Sequence, residues 1–167
     1  MQKIYIAGFD VFEEDAIARG KKYTSLCREY GFIGMYPLDN EVDFSKAKHT
    51  VAEVIFKANT AMIRQADIII ANLNPFRGKE ADSGTVWECG YGFSLGKKVY
   101  GYMQDTRPYL ERFSEAQREQ RGEMFWDSEG RFIEDFDHPV NLMIACSALE
   151  IVQGGFEDVL KRIVRCE

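Results

Sequence analysis

The chain is short of the residues that build metal and redox centres. It has two histidines, His49 and His138, and four cysteines, Cys27, Cys89, Cys146 and Cys166. No two cysteines form a CxxC pair, so neither a zinc site nor a disulfide framework is expected, and the thiols read as free ones in a reducing cytoplasm. Positive charge is scarce too. Lys and Arg number 21 against 27 Asp and Glu, a net charge of −6. That balance argues against a nucleic-acid polymer as partner but leaves a small polar ligand open. No apolar run approaches membrane-spanning length, and Ile4 to Gly8 is too short for a signal-peptide core, so a cytoplasmic protein without a membrane partner is expected. The chain also lacks a glycine-rich phosphate cradle. The Gly8-Phe9-Asp10 turn has one glycine, no Lys, Ser or Thr, and an acidic residue. This speaks against a Rossmann or P-loop nucleotide site and against a 5′-phosphorylated substrate. No cofactor and no metal is implied.

What is present is an alternation of strand and helix over 167 residues, a length that suits one domain spanning 1–167. Strands are expected at Lys3 to Gly8, Phe32 to Tyr36, Asp67 to Leu73 and Lys98 to Met103, with a short fifth at Leu149 to Val152. Helices are expected at Glu13 to Tyr30, Lys46 to Gln65, Ser83 to Leu95 and Asn141 to Ala148, and after Gly154-Gly155. In the second helix Val51, Val54, Ile55, Ala58 and Met62 share one face. In the last one Phe156, Val159, Leu160 and Ile163 do. The continuous apolar run from Asp67 to Leu73 marks a parallel sheet covered on both sides. The expected fold is α/β: a doubly wound, flavodoxin-like parallel sheet of five strands, order 2-1-3-4-5, with helices on both faces. Gln104 to Pro139 does not fit this rhythm. It is long, charged and poorly periodic, and reads as a lid, an insertion or a partly helical segment.

Chemistry concentrates where the third strand passes into the third helix. Open α/β sheets build sites at such junctions. Asp82 stands at the helix start and Glu88 follows it by more than a turn, flanked by Trp87, Cys89 and Gly90. A helical carboxylate in such company is a candidate nucleophile or acid–base group. Asp82 can equally be a plain N-cap. Tyr5, on the central first strand, is either a core tyrosine with a satisfied hydroxyl or a group facing the same cleft. Pro37-Leu38-Asp39-Asn40-Glu41 is a turn by composition, at the site edge by position.

The ordered set Ile4-Tyr5-Ile6-Ala7-Gly8, Pro37-Leu38-Asp39-Asn40, Ala66-Asp67-Ile68-Ile69-Ile70-Ala71-Asn72-Leu73, Asp82-Ser83-Gly84-Thr85 with Glu88-Cys89-Gly90-Tyr91, and Pro139-Val140-Asn141-Leu142-Met143 resembles the nucleoside 2-deoxyribosyltransferase family. The resemblance runs from residue 3 to about residue 145. It implies a retaining transfer of 2-deoxyribose between nucleobases, with deoxynucleosides and free bases as substrates. Glu88 would be the nucleophile, Tyr5 its orienting partner and Asp82 a substrate contact. Gly8, Asn40, Glu41, Asn59 and Gly84 would lie around the substrate. Asn141 and Met143 match residues that reach the site from a neighbouring subunit, which implies a homo-oligomer with shared sites. Two positions depart from familiar members. Glu41 stands where they have glutamine and Asn59 where they have aspartate, so the acid that assists the departing base is expected to be Glu41. Two other readings compete: an N-glycoside hydrolase on the same scaffold, and a nucleoside-binding module without chemistry.

Overall fold

The computed structural model describes residues 1–40 and 42–166. In chain order its elements are β1 (Lys3–Ala7), α1 (Ala16–Glu29), β2 (Ile33–Met35), α2 (Lys48–Gln65), β3 (Ile68–Asn72), α3 (Ser83–Ser94), β4 (Lys98–Met103), β5 (Arg118–Arg121), β6 (Met124–Asp127), β7 (Phe132–Ile133), α4 (Leu142–Ala145), β8 (Glu150–Gln153) and α5 (Phe156–Cys166). The main sheet runs β2-β1-β3-β4-β8, and each neighbouring pair is parallel. This is the expected five-stranded order, β8 being the fifth strand. No helix among the described residues is long and apolar enough to cross a membrane.

Strand alternation explains why helices cover both faces. Successive side chains of a strand point to opposite sides. Tyr5, Ala7, Ile69 and Ala71 join one buried cluster with Ile63 of α2, Cys89 of α3 and Ile144 of α4. Ile4, Ile6, Ile68 and Ile70 join another with Cys27 of α1 and Val159, Leu160 and Ile163 of α5. All five residues of β3 are therefore buried. The apolar stripe read on α5 is buried as expected. That on α2 divides. Val51 is buried, but Val54 stays exposed and Ile55 lines a cavity, so part of the stripe serves a pocket and not the core.

The site-bearing helix lies tight against the sheet. A Cβ added at Gly92 would come 2.7 Å from Ile69 Cγ1, so only glycine allows this approach of α3 to β3. Asp82 caps the start of α3, and Gly96, at φ 71°, follows its end.

The segment 104–139 is neither coil nor chiefly helix. After two single-turn 3₁₀ helices it forms a three-stranded antiparallel sheet, β5-β6-β7. Sequence periodicity gave no sign of it, because β5 (Arg-Glu-Gln-Arg) has no apolar face to alternate. The helix expected over Asn141 to Ala148 is shortened to the four residues of α4.

Candidate active site

The site begins at the carboxyl ends of β1 and β3, neighbours in the sheet although α1, β2 and α2 separate them in sequence. This is the switch point of the doubly wound topology, where loops diverge and leave a crevice. After β3 the chain runs through 74–81 to Asp82. Asp82 Oδ2 accepts from Thr85 N at 2.9 Å and from Thr85 Oγ1 at 3.0 Å. The N-cap reading of Asp82 is thus correct, and the same residue also lines the cavity beside it.

Glu88 projects from α3 toward β1. The hydroxyl of Tyr5, itself fully buried, donates to Glu88 Oε1 at 2.5 Å. Burial pushes the Glu88 carboxyl up to about 7, the Tyr5 hydrogen bond opposes the shift, and the negative Asp82 adds to it. The same burial, with the adjacent carboxylate, drives the Tyr5 phenol far above its ordinary range, so it remains a proton donor. Glu88 is consequently poised to change charge near neutrality. Its surroundings differ from the sequence reading in one respect. Cys89 is buried, but Trp87 is half exposed, tilted against Phe56 and stacked on Tyr91. Glu88 itself is half-buried, lining the cavity on one side and held by Tyr5 of β1 on the other.

A cavity of about 590 Å³ opens above this pair. It brings together Gly8, Asn40, Asn59, Asp82, Gly84 and Glu88, six of the ten positions expected to form the site. Leu38, Val42, Phe44 and Ile55 give it an apolar wall, and no Lys, Arg or His lines it among the described residues. Asn40 is held by donating to Pro37 O and Met62 Sδ, both at 3.0 Å. Asn59 Oδ1 is buried with no hydrogen-bond partner among the described residues. Tyr5 does not line the cavity; it touches the site through Glu88. Glu41, the expected acid, lies outside the described residues. Asn141 and Met143 do not reach this cavity within one chain. Asn141 caps α4, and Met143 is exposed beside a separate apolar pocket with Val86, Phe93 and Cys146.

One residue was misjudged from sequence. Asp10 looked like a charge that would repel phosphate from the first turn. It is 3% exposed, and it does not line the cavity. It accepts from Asn72 Nδ2 at 2.8 Å, Tyr23 OH at 3.1 Å and Arg19 Nη1 at 3.3 Å. A Cβ at Gly8 would lie 2.6 Å from Asp10 Oδ2 and 2.9 Å from Asn72 Cβ, so this network packs directly under the turn. Its partners stand 9, 13 and 62 residues away, spacings that no local pattern announces. Among the described residues no group of three or more His, Cys, Asp or Glu is placed to hold a metal ion.

Comparison with known proteins gives this geometry a context. The chain superimposes on a 2-deoxyribosyltransferase from Leishmania mexicana with a TM-score of 0.77 and 32% identity, covering 99% of this chain and 98% of that one. A 2-deoxyribosyltransferase from Bacillus psychrosaccharolyticus gives 0.60 at 24% identity, over 95% and 90% of the two chains. A CMP N-glycosidase from Clostridium botulinum gives 0.51 at 14%, over 97% and 98%; both of these show a shared fold. A protein from Schizosaccharomyces pombe is 28% identical over 123 residues, and the chain spans only 58% of that relative's length against 72% of its own. The sequence profile described as Nucleoside 2-deoxyribosyltransferase matches residues 4–143. That span takes in both Tyr5 and Glu88, and with it the chain belongs to the nucleoside 2-deoxyribosyltransferase family.

Proposed function

We propose that the protein moves 2-deoxyribose from a deoxynucleoside to another purine or pyrimidine base through a covalent ester on Glu88. The observation that carries this reading is the Tyr5–Glu88 hydrogen bond at the floor of an apolar cavity. Ionised Glu88 attacks the anomeric carbon as the bond to the first base breaks. The departing base takes the bonding pair and a proton from solvent, which the second base returns when it attacks. A nitrogen of the second base then attacks the same carbon, loses its proton and frees the carboxylate. Two inversions give retention and ping-pong kinetics. Tyr5 holds one carboxylate oxygen, which leaves the other to the sugar. The negative charges of Asp82 and Glu88 stabilise the positive character that develops at the anomeric carbon. Asn141 and Met143 complete the site of a neighbouring subunit, so the active unit is at least a dimer.

Hydrolysis of a nucleotide fits this cavity less well. A 5′-phosphate calls for a cation or a cluster of donors, and the described lining offers carboxylates instead. A passive binding module has no use for a desolvated carboxylate. Incubation of deoxyuridine with adenine separates the three readings. Deoxyadenosine is the expected product. Free deoxyribose without deoxyadenosine would make the protein a hydrolase, and unchanged substrate with measurable binding would make it a binding module.

A further inference from the structure

The segment 104–139 grips both the loop that leads to Asp82 and the stretch that carries Asn141. On one side it holds the loop leading to Asp82. Lys79 Nζ donates to Arg112 O at 2.7 Å, Arg112 Nη1 donates to Lys79 O at 3.0 Å, and the Tyr109 hydroxyl donates to Glu80. On the other side it holds Asn141, and there Glu134 makes the connection. Glu134 follows β7 directly and is anchored by the buried Ile133. Its Oε1 accepts from Asn141 Nδ2 at 2.6 Å, and its Oε2 accepts from the Leu142 backbone N–H at 2.9 Å.

These bonds determine which way the Asn141 amide faces. The NH₂ end is held by Glu134, and Oδ1 accepts from Met143 N at 3.0 Å. A flipped amide would set its oxygen against a carboxylate and its NH₂ against a backbone N–H, losing both bonds and adding two repulsions. A carboxylate suits the position because both groups facing it are donors. A glutamine there would bring one acceptor and one donor against two donors and so lose one bond.

We propose that Glu134 is a positioning residue that sets the orientation of the Asn141 amide toward substrate, and that this is a task of the 104–139 segment. The proposal rests on the reading of Asn141 as a substrate-facing group. It turns a segment without obvious chemistry into the support of a shared site, acting on the reaction only through Asn141.

A double-mutant cycle tests it, with deoxyuridine-to-adenine transfer and thermal melting measured on each variant of the full chain. Glu134→Gln is expected to lower kcat/KM by about 10- to 100-fold, the scale of a misplaced site group, with melting little changed. Glu134→Asp, which keeps the carboxylate, should retain more activity than Glu134→Gln at equal stability. The combination Glu134→Gln with Asn141→Ala should match Asn141→Ala alone within about two-fold, because the positioning residue has nothing left to position. Full activity of Glu134→Gln, or losses that multiply in the double variant, would overturn the proposal. Full activity of Asn141→Ala would overturn it as well, by removing Asn141 from the site. The transfer reaction itself is judged separately, by the loss of activity in Glu88→Gln.

Discussion

The β3–α3 unit and the 104–139 segment place their candidate site side chains by opposite means. Around Glu88 the constraint is packing. Every residue of β3 is buried, α3 is pressed onto Ile69 at Gly92, and the one hydrogen bond described for the Glu88 carboxylate comes from a fully buried tyrosine. Around Asn141 the constraint is a set of polar bonds from a small sheet whose first strand is largely exposed. A group whose charge must be tuned needs a packed setting, because burial is the largest cause of the raised Glu88 value. A group that only hydrogen-bonds substrate can be held by other hydrogen bonds at the surface. The two regions should therefore fail differently when altered.

The largest effect belongs to the packed region. Glu88→Gln should reduce transfer by about 10³-fold or more while the protein stays folded, since an amide cannot form the sugar ester. A 2-fluoro-2-deoxy nucleoside should leave its label on Glu88 by mass spectrometry, and a label on another residue would dismiss the assignment. Next comes the polar region. Asn141→Ala should lose about 10²-fold, the scale of one transition-state donor. Hybrids of Glu88→Ala with Asn141→Ala subunits should recover activity, because one site in each pair is intact. Failure to recover after demonstrated subunit exchange would show that the two residues do not meet across an interface.

Tyr5→Phe tests the link between burial and charge. Glu88 must be ionised to attack, so kcat/KM should rise with pH through about 7. Removing the Tyr5 hydrogen bond, which holds the Glu88 value down, should shift that rise to higher pH and lower the plateau by about 10- to 100-fold. An unmoved profile would mean that Glu88 does not set the acidic limb. The smallest effects compare stability directly. Gly92→Ala should destabilise the fold by about 1–3 kcal/mol through overpacking against Ile69. Arg121→Ala in β5, which breaks an exposed pair with Glu119, should stay within about 0.5 kcal/mol. Equal shifts in chemical denaturation would erase the distinction between the two regions.

The parallel sheet was legible because its signals are local: an apolar run at Ile68 to Ala71, a capped helix start at Asp82, and an apolar stripe at Phe156, Val159, Leu160 and Ile163. Six expected residues meet at the cavity because they lie on the loops and helix faces at the carboxyl ends of β1, β2 and β3, which the topology brings together. What sequence did not reveal depends on distant pairing. The bonds to Asp10 come from two elements, Arg19 and Tyr23 of α1 and Asn72 of β3, the last 62 residues away. The 104–139 sheet lacks alternation in β5. Nothing local around Glu134 signals that the fold sets it against Asn141. Sequence also cannot divide the α2 stripe between core and cavity, since Val51 and Ile55 are equally apolar and differ only in what lies opposite.

The raised proton affinity of Glu88 has a consequence for the life cycle of the catalyst. Its ordinary value is 4.5 and its value in the fold is about 7. The stability this group contributes is complete below the unfolded value and is withdrawn as pH climbs through the folded one, by roughly 3 kcal/mol. At mildly alkaline pH the empty protein carries that burden whenever its nucleophile is ready to react. An ester on Glu88 has no charge to desolvate. On the proposed mechanism, the esterified protein should therefore melt higher at mildly alkaline pH than the empty one, and the release of each sugar should remove that difference.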